Sequence, residues 1–149
     1  MKSLLSHNVS SINGTITVPG DKSISQRALI LSSVAIGTSE IYGLSFSKDV
    51  LDLIKNLKLL GVNIIVKKEK VIVKGNGING LKKTNNILNM GNSGTATRLM
   101  MGILSNQDFA TKITGDESLN KRPMDRIIDP LVKMGAEIKS RNNKLPITL

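Results

Sequence analysis

The sequence predicts an α/β (α+β) fold in which a β-α-β-α-β-β unit occurs twice. The first observation is a repeat: a glycine-led segment that reaches an arginine runs from Gly20 to Arg27 and again, 71 residues later, from Gly91 to Arg98. Self-similarity at a fixed interval is the signature of a duplicated structural unit. Second, helical apolar spacing alternates with short strand-like runs in both halves. Third, 40% of the residues are hydrophobic, which is enough for a core, and aromatic residues are so few that the core must be aliphatic.

Unit one, over about residues 12–80, is predicted to open with a strand at Gly14–Val18 and a glycine turn. A helix follows, which Ser23 or Ser25 can cap and Gly37 can end. The next strand is expected at Ser39–Tyr42.

The second helix of unit one is predicted between Ser47, a good N-cap, and Gly61, a good residue just past the C-terminus. Its apolar residues fall at helical spacing and form one face; they are Val50, Leu53, Ile54, Leu57 and Leu60. A hairpin of Val62–Val66 and Val71–Val73, turning at Lys68 and Glu69, completes the unit.

Unit two, over about residues 84–149, repeats this order with a strand at Asn86–Met90, a helix from about Thr95 to Ser105 and a strand at Thr111–Thr114. The following helix is expected to have Pro123 in its first turn and to be bent by Pro130.

The last hairpin is predicted to pair Glu137–Lys139 with Ile147–Leu149. Because a domain rarely ends in the middle of a hairpin, we expect the chain to be a truncated N-terminal domain with unit two incomplete. An unpaired sheet edge would then leave the isolated chain marginally stable.

Composition excludes several classes of function. The chain has no cysteine, so disulfides, thiolate metal sites and cysteine nucleophiles are impossible, and no paired carboxylates, metal-ligand cluster or Ser-His-Asp set is apparent. The single His7 is expected to be a solvated tail residue. No apolar run reaches the length of a membrane span or a signal peptide, so a cytoplasmic protein is expected. The net charge of +10 favours anionic partners. Nucleic acid is the weaker candidate, because base-stacking aromatic residues are nearly absent.

The first candidate site is the segment from Pro19 to Arg27, where a glycine turn leads into the start of a helix. The free N–H groups and positive dipole end of a helix N-terminus favour an anion. Lys22 adds a charge, Ser23 a hydroxyl, and Arg27 a planar fork one turn further along the same face. An ordinary helix cap with two exposed cations explains this segment equally well.

The second candidate, Gly91–Arg98, occupies the equivalent place in unit two, where two glycines allow a ligand to approach the backbone. Two matched segments make an accidental origin less plausible. The third candidate, Gly115–Pro123, delivers Lys121 and Arg122 to what we expect to be a helix start, where cations oppose the dipole and so point to a bound anion. The alternative is a pair of solvated loop cations. Asp49, near the start of the second helix, can be either a dipole-offsetting carboxylate or a catalytic one.

These segments together resemble the enolpyruvyl transferases, and most closely the EPSP (5-enolpyruvylshikimate-3-phosphate) synthases. The similarity rests on PGDKSISQRALILSSVAIG, on NSGTATR and on GDESLNKRPMDRIIDPLVKMGAEI, in the family's order from about Ile12 to Ile138. The resemblance implies a fold of two domains, each of three βαβαββ units in an inverted α/β barrel-like arrangement. Two units of the first domain would be present here.

The resemblance also implies a function. Family enzymes transfer the carboxyvinyl group of phosphoenolpyruvate to the 5-hydroxyl of shikimate 3-phosphate and release phosphate, a step of the shikimate pathway to chorismate and aromatic amino acids. No metal or organic cofactor, no nucleic acid and no membrane is implied, and the full enzyme is expected to be monomeric. The inhibitor glyphosate occupies the phosphoenolpyruvate site, and some natural variants of the family carry alanine at the position of Gly94.

The substrate-binding residues that the resemblance implies are Lys22, Ser23, Arg27, Asn92, Gly94, Thr95 and Arg122. Lys22 would contact both substrates, and Ser23 and Arg27 would hold shikimate 3-phosphate. The phosphoenolpyruvate site would be lined by Asn92, Gly94 and Arg122, with Thr95 adjoining.

The carboxylates credited with proton transfer are expected in a C-terminal region that this chain does not contain, so the isolated chain is expected to be inactive. Two alternatives stay open. One is a UDP-N-acetylglucosamine enolpyruvyl transferase, although that relative has Asn in place of Ser23 and usually a cysteine within the loop 115–122. The other is a small anion- or nucleic-acid-binding module that reused the repeat.

Overall fold

The computed structural model describes residues 3–149. The elements of the first half are α1 Lys22–Val34, β1 Ile36–Tyr42, α2 Lys48–Leu59, β2 Asn63–Val66 and β3 Lys70–Asn76. Those of the second half are β4 Leu88–Asn89, α3 Gly94–Leu104, β5 Lys112–Thr114, α4 Glu117–Lys121, α5 Asp125–Lys133, β6 Lys139–Arg141 and β7 Lys144–Thr148. The predicted mixed α/β class is confirmed.

The two halves build separate sheets with the same strand order. Sheet one runs β1-β3-β2 and is antiparallel throughout. Sheet two runs β4-β5-β7-β6, in which β5-β7-β6 repeats the order and the antiparallel pairing of sheet one. The additional strand β4 pairs in parallel with β5. This common order is what a duplicated unit produces, and within residues 3–149 neither sheet closes into a barrel.

One aliphatic core joins the two halves. The helix α2 was predicted from its apolar spacing, and all five of the residues on that face are buried. Helix α1 packs against both α2 and α3, and α3 packs against α5. The largest fully buried side chains are Leu29, Leu53, Leu57, Leu60, Leu88, Met90, Met100, Met101, Leu104, Ile113, Leu119 and Met124. The prediction of a core without aromatic anchors is confirmed.

Asn56 is a buried polar group that connects the halves. Its side-chain Nδ2 on α2 donates to the backbone oxygen of Asn89 on β4 at 2.8 Å. Because a buried amide is costly without a partner, this bond fixes β4 against α2.

Local chemistry explains the turns. Gly61 follows the last residues of α2 at φ 83°, a left-handed conformation that glycine adopts without a steric penalty, as expected of a residue just past a helix. The last hairpin turns at Asn142 and Asn143, both at positive φ, as a two-residue turn with the right twist requires. Its strands pair 139–141 with 144–148, so the hairpin is real, but its first strand begins two residues later than predicted and its second begins three residues earlier.

The predicted strand at Gly14–Val18 is wrong. Residues 3–19 are exposed and form no strand, and Ile16 and Val18 remain 84% and 71% exposed. The alternating apolar pattern is that of a strand, but a strand needs a neighbour with free backbone groups and an apolar surface to cover. No described residue supplies both to this segment.

The predicted helix caps need two corrections. Helix α1 is capped by Asp21, whose Oδ1 accepts from the Ile24 N–H at 2.7 Å, and not by Ser23 or Ser25, which lie inside the helix. The same helix ends at Val34 with Ala35 as its C-cap, while Gly37 belongs to β1. Ser47 does hold the N-cap position of α2, although its hydroxyl makes no capping bond.

The helix expected from Pro123 onward begins two residues later, at Asp125, and a separate short helix that was not predicted precedes it. The short α4 ends at Lys121, and α5 begins at Asp125 after Met124 as N-cap. Pro123 therefore precedes the helix instead of lying in its first turn. A tertiary contact accounts for this: the Met124 N–H donates to the Asn143 oxygen in the hairpin at 2.8 Å, and the Met124 side chain is buried. Pro130 lies inside α5, as predicted. No helix of residues 3–149 is long and apolar enough to cross a membrane.

Candidate functional site

The start of α1 carries the first group of cations. The Lys22 ammonium lies 2.9 Å from Asp49 Oδ2, and the two side chains are 51% and 18% exposed. Asp49 is in the first turn of α2, so it both offsets the helix dipole and pairs with Lys22. A salt bridge this exposed contributes little to stability, which leaves the ammonium available to an anion.

The two arginines of the repeat are held in the same way. Arg27 Nη1 donates to the Ser23 oxygen at 3.1 Å, and Arg98 Nη1 donates to the Gly94 oxygen at 3.2 Å. Each bond spans one helical turn at the start of its helix, α1 or α3. The matched positions predicted from the sequence are therefore matched in conformation, and each helix start presents a guanidinium beside it.

A buried hydrogen bond ties these two helix starts together. Gln26 on α1 is completely buried, and its Nε2 donates to Ser93 Oγ at 2.7 Å. The same hydroxyl oxygen accepts from the Ala96 N–H at 3.1 Å and so caps α3. Gln26 was not predicted from the sequence as a residue of the site. Its signal was its position, one turn before Leu29 and Ile30 on the buried face of α1.

Side-chain hydrogen bonds connect the third candidate segment, Gly115–Pro123, to the second, Gly91–Arg98. Arg122 Nη2 donates to Asn92 Oδ1 at 2.7 Å, and Asn92 Nδ2 donates to Asp116 Oδ2 at 2.7 Å. The backbone N–H of Asp116 also donates to the Gly91 oxygen at 2.8 Å. The hydrogen bond from Asn92 and then the one from the Leu119 N–H hold the pKa of the Asp116 carboxyl below its usual value, so it is ionised at neutral pH.

Two glycines of this region lie where an added β-carbon would meet a neighbouring side chain. Gly91 has φ 57°, and a β-carbon there would lie 2.7 Å from Asp52 Oδ2. At Gly94 a β-carbon would lie 2.7 Å from Arg98 Nη1 and 3.6 Å from Arg122 Nη1. The backbone at Gly94 is thus surrounded by guanidinium groups, and Thr95 follows it as a half-buried residue in the first turn of α3.

The predicted placement of Lys121 and Arg122 is wrong. Lys121 and Arg122 were placed at a helix start, where they would oppose the dipole. Lys121 lies in the last turn of α4 and Arg122 is its C-cap. Cations are favoured at that end of a helix, so their presence carries no evidence for an anion by that route. The case for Arg122 rests instead on its bond to Asn92 and its nearness to Gly94.

The predicted residues therefore fall into two connected groups. Lys22, Ser23 and Arg27 lie on the first turns of α1, while Asn92, Gly94, Thr95 and Arg122 lie around the start of α3. The Gln26–Ser93 bond joins them. Among residues 3–149 no three histidine, cysteine or acidic side chains are grouped to hold a metal ion. The arrangement is suited to binding anions through fixed cations and backbone N–H groups.

Replacing Ser93 by alanine is expected to lower the free energy of unfolding by about 2–3 kcal/mol. About 1 kcal/mol comes from the lost cap of α3, and the rest from leaving the buried Gln26 amide without an acceptor. Urea denaturation of the chain and its variant measures the difference.

The matched control is Ser47→Ala. Ser47 is also an N-cap serine, but its buried hydroxyl has no hydrogen-bond partner within residues 3–149. Alanine there should leave stability unchanged or raise it slightly. Equal losses at the two serines would show that the Gln26–Ser93 bond does not hold the two helix starts together.

Comparison with known proteins agrees with this geometry. The family model described as EPSP synthase (3-phosphoshikimate 1-carboxyvinyltransferase) matches residues 7–149. The 3-phosphoshikimate 1-carboxyvinyltransferase of Vesicomyosocius okutanii subsp. Calyptogena okutanii is 50% identical over 139 residues, which is 93% of this chain and 32% of that protein. The protein of the same name from Streptococcus pyogenes serotype M1 is 49% identical over 137 residues, 92% of this chain and 32% of its own length.

A solved structure titled EPSP synthase from Acinetobacter baumannii superposes with a TM-score of 0.85 at 42% identity, covering 91% of this chain and 32% of that one. The chain thus spans about a third of the length of the relatives it matches. The sequence resemblance, the family model and the shared fold point to one conclusion: the chain belongs to the EPSP synthase family.

Proposed function

We propose that this chain forms one side of the substrate-binding site of a 3-phosphoshikimate 1-carboxyvinyltransferase. Such an enzyme moves the carboxyvinyl group of phosphoenolpyruvate to the 5-hydroxyl of shikimate 3-phosphate and releases phosphate. The observation that carries the proposal is that two cation-bearing helix starts, 71 residues apart in the sequence, are joined by the buried Gln26–Ser93 bond. Both substrates are multiply anionic, which suits such a surface.

Each group of residues has its own role in this proposal. The start of α1 receives shikimate 3-phosphate through Ser23 and Arg27. The Lys22 ammonium leaves Asp49 to lie between the two substrates. Asn92, Gly94 and Arg122 receive phosphoenolpyruvate, and Thr95 adjoins that site.

The chemical contribution of this chain is electrostatic. The reaction passes through a tetrahedral adduct, and fixed cations and helix N–H groups stabilise the charge that develops on it. Arg122 is already held by Asn92, so among these cations the main rearrangement is the movement of Lys22 away from Asp49. Proton transfer is assigned to no residue of this chain. We further propose that the enzyme works as a monomer in the cytoplasm.

The deciding experiment is a titration of the isotope-labelled chain followed by NMR. Shikimate 3-phosphate should shift the backbone amides of Lys22, Ser23 and Arg27, and phosphoenolpyruvate should shift those of Asn92, Gly94 and Thr95. Lys68→Ala is the control for non-specific charge effects, because Lys68 lies in the β2–β3 turn and belongs to neither group.

The competing function is a nucleic-acid-binding module, which the net charge of +10 permits. Such a module would bind unrelated oligonucleotides with an affinity that falls steeply with salt. If oligonucleotides bind in this way and neither substrate shifts the amides of the two helix starts, the proposed function is wrong.

A further inference from the structure

The hydrogen bonds between Asp116, Asn92 and Arg122 have a fixed direction. A carboxylate only accepts hydrogen bonds and a guanidinium only donates them, whereas the asparagine amide does one at each end. Asn92 must therefore direct its NH2 group to Asp116 and its oxygen to Arg122. The structure shows this orientation: Asn92 Nδ2 lies 2.7 Å from Asp116 Oδ2, and Asn92 Oδ1 lies 2.7 Å from Arg122 Nη2. A flipped amide would set oxygen against carboxylate and NH2 against guanidinium.

Asp116 is itself anchored at two further points. Its Oδ1 accepts from the Leu119 N–H at 2.8 Å and caps α4, and its backbone N–H donates to the Gly91 oxygen at 2.8 Å. Its Oδ2 is the atom that remains to face Asn92. The carboxylate is thus oriented by the backbone of two segments before it orients the amide.

The orientation of Asn92 in turn affects the orientation of the Arg122 guanidinium. Arg122 Nη2 donates to Asn92 Oδ1 at 2.7 Å and makes a longer contact with Ser118 Oγ at 3.5 Å. The other terminal nitrogen, Nη1, is directed toward Gly94, 3.6 Å from where a β-carbon on that residue would be. Within residues 3–149 Nη1 makes no hydrogen bond, so it is available to an anion. The orientation of this donor is set by an acidic residue that does not contact it.

We propose that Asp116 is a positioning residue for phosphoenolpyruvate: through the Asn92 amide it fixes the Arg122 guanidinium in its binding orientation. The inference rests on the proposed function for the identity of the ligand. It also makes a prediction opposite to simple charge attraction. Removing a carboxylate near an anion site should strengthen anion binding by Coulomb's law, whereas loss of a positioning group should weaken it.

The test uses two substitutions that keep the helix cap. Serine and asparagine are both good N-caps, so Asp116→Ser and Asp116→Asn preserve α4. Serine cannot reach Asn92, and asparagine capping through its oxygen presents NH2 to the Asn92 NH2 and favours the flipped amide. Each variant should bind phosphoenolpyruvate about tenfold more weakly, as expected for losing one charge-assisted hydrogen bond. Calorimetry on the full 149-residue chain measures this.

Asp125→Ser is the matched control. Asp125 Oδ1 accepts from Asn143 Nδ2 at 2.7 Å, so Asp125→Ser removes the same kind of carboxylate–amide hydrogen bond. This bond links α5 to the last hairpin, and its asparagine does not accept a hydrogen bond from an arginine within residues 3–149. Its phosphoenolpyruvate affinity should stay within about twofold of the unchanged chain. An equal loss in the control would assign the effect to general loosening and overturn the proposal.

A second measurement needs no ligand. In the unchanged chain the two Asn92 side-chain amide protons should be well separated in chemical shift, because one faces a carboxylate, and the Arg122 guanidinium signals should be resolved. Both Asp116 variants should collapse these signals toward solvent-averaged positions, whereas Asp125→Ser should not.

The two measurements separate the possible failures. Failure of the unchanged chain to bind phosphoenolpyruvate, with the NMR changes present, refutes the proposed function and leaves only the ligand-independent part of the inference, that Asp116 fixes the Arg122 guanidinium through Asn92. Unchanged or tighter binding in the Asp116 variants refutes the positioning role, as do unchanged Asn92 and Arg122 signals.

Discussion

Replacing Arg122 by alanine is expected to weaken phosphoenolpyruvate binding about 100-fold, whereas Lys121→Ala should change it less than about twofold. Arg122 is half-buried, is held by Asn92 Oδ1 at 2.7 Å and directs Nη1 toward Gly94. Its fork can give a phosphate or carboxylate two charge-assisted hydrogen bonds. Losing both costs about 3 kcal/mol, which is roughly 100-fold in affinity.

Lys121 is the natural comparison, because it is the adjacent residue and carries the same charge. Its ammonium pairs with Glu117 one turn away on the exposed face of α4, and the two side chains are 72% and 86% exposed. An ion pair this exposed contributes little to the free energy of folding. Solvent screens the Lys121 charge, so removing it changes the electrostatic potential at the site only slightly. Calorimetry on the chain measures both variants.

Kinetics can be measured in a hybrid in which this chain replaces the matching 32% of the Vesicomyosocius okutanii relative. There Arg122→Ala should reduce kcat/KM for phosphoenolpyruvate far more than for shikimate 3-phosphate. Similar effects of the Arg122 and Lys121 substitutions would mean that net charge, and not the placement of Arg122, governs binding.

The parts of the fold that were predictable are those in which local pattern and packing agree. In α2 the apolar spacing, Ser47 before it and Gly61 after it all indicate one helix, and the buried face follows from 3.6 residues per turn. The β2–β3 hairpin was predictable for the same reason. Its apolar residues flank a polar turn, and its partner strand is only a few residues away.

The errors arose where several residues offered the same local chemistry. Asp21, Ser23 and Ser25 can each cap a helix, and only the backbone conformation selects Asp21. The short α4 was overlooked although its signals were present: Asp116 as N-cap, Glu117 in the first turn and Lys121 in the last.

The arrangement of the site could be predicted only in part. The repeat indicated that Arg27 and Arg98 are equivalent, and both donate to the backbone one turn earlier. The contacts that join the segments could not be predicted, because they link residues far apart in the sequence. Gln26 and Ser93 are 67 positions apart, and Asn92 and Asp116 are 24 apart. No local pattern specifies such a pair.

The substitution Gly94→Ala is expected to make an enzyme containing this chain tolerant to glyphosate, with a smaller loss of phosphoenolpyruvate affinity. The added β-carbon would lie 2.7 Å from Arg98 Nη1 and 3.6 Å from Arg122 Nη1. It therefore enters the space among the cations that an anionic ligand would occupy. Overpacking of this kind costs about 1–3 kcal/mol, or roughly ten- to a hundredfold in affinity. Glyphosate is one atom longer than phosphoenolpyruvate between its phosphorus and its carboxylate, so it should lose more of its affinity.

The structure separates this steric effect from damage to the fold. Gly94 is the first residue of α3 and is not at positive φ, so alanine fits its backbone. The nearest atom, Arg98 Nη1, is at the end of a flexible side chain and can move at little cost. Gly91, at φ 57° and against Asp52, is a position where alanine should destabilise the fold. We therefore expect Gly94→Ala to leave the unfolding transition nearly unchanged.

Gly102→Ala is the control on the same helix. A β-carbon there meets nothing within 4 Å, and alanine is the better helix former, so stability should rise slightly without effect on either ligand. The measurement is the glyphosate inhibition constant and the phosphoenolpyruvate Michaelis constant, in the hybrid with and without each change. The prediction requires the inhibition constant to rise at least several times more than the Michaelis constant in Gly94→Ala alone. If both constants rise by the same factor, or if Gly102→Ala has the same effect, Gly94 shapes the turn and does not select between the two ligands.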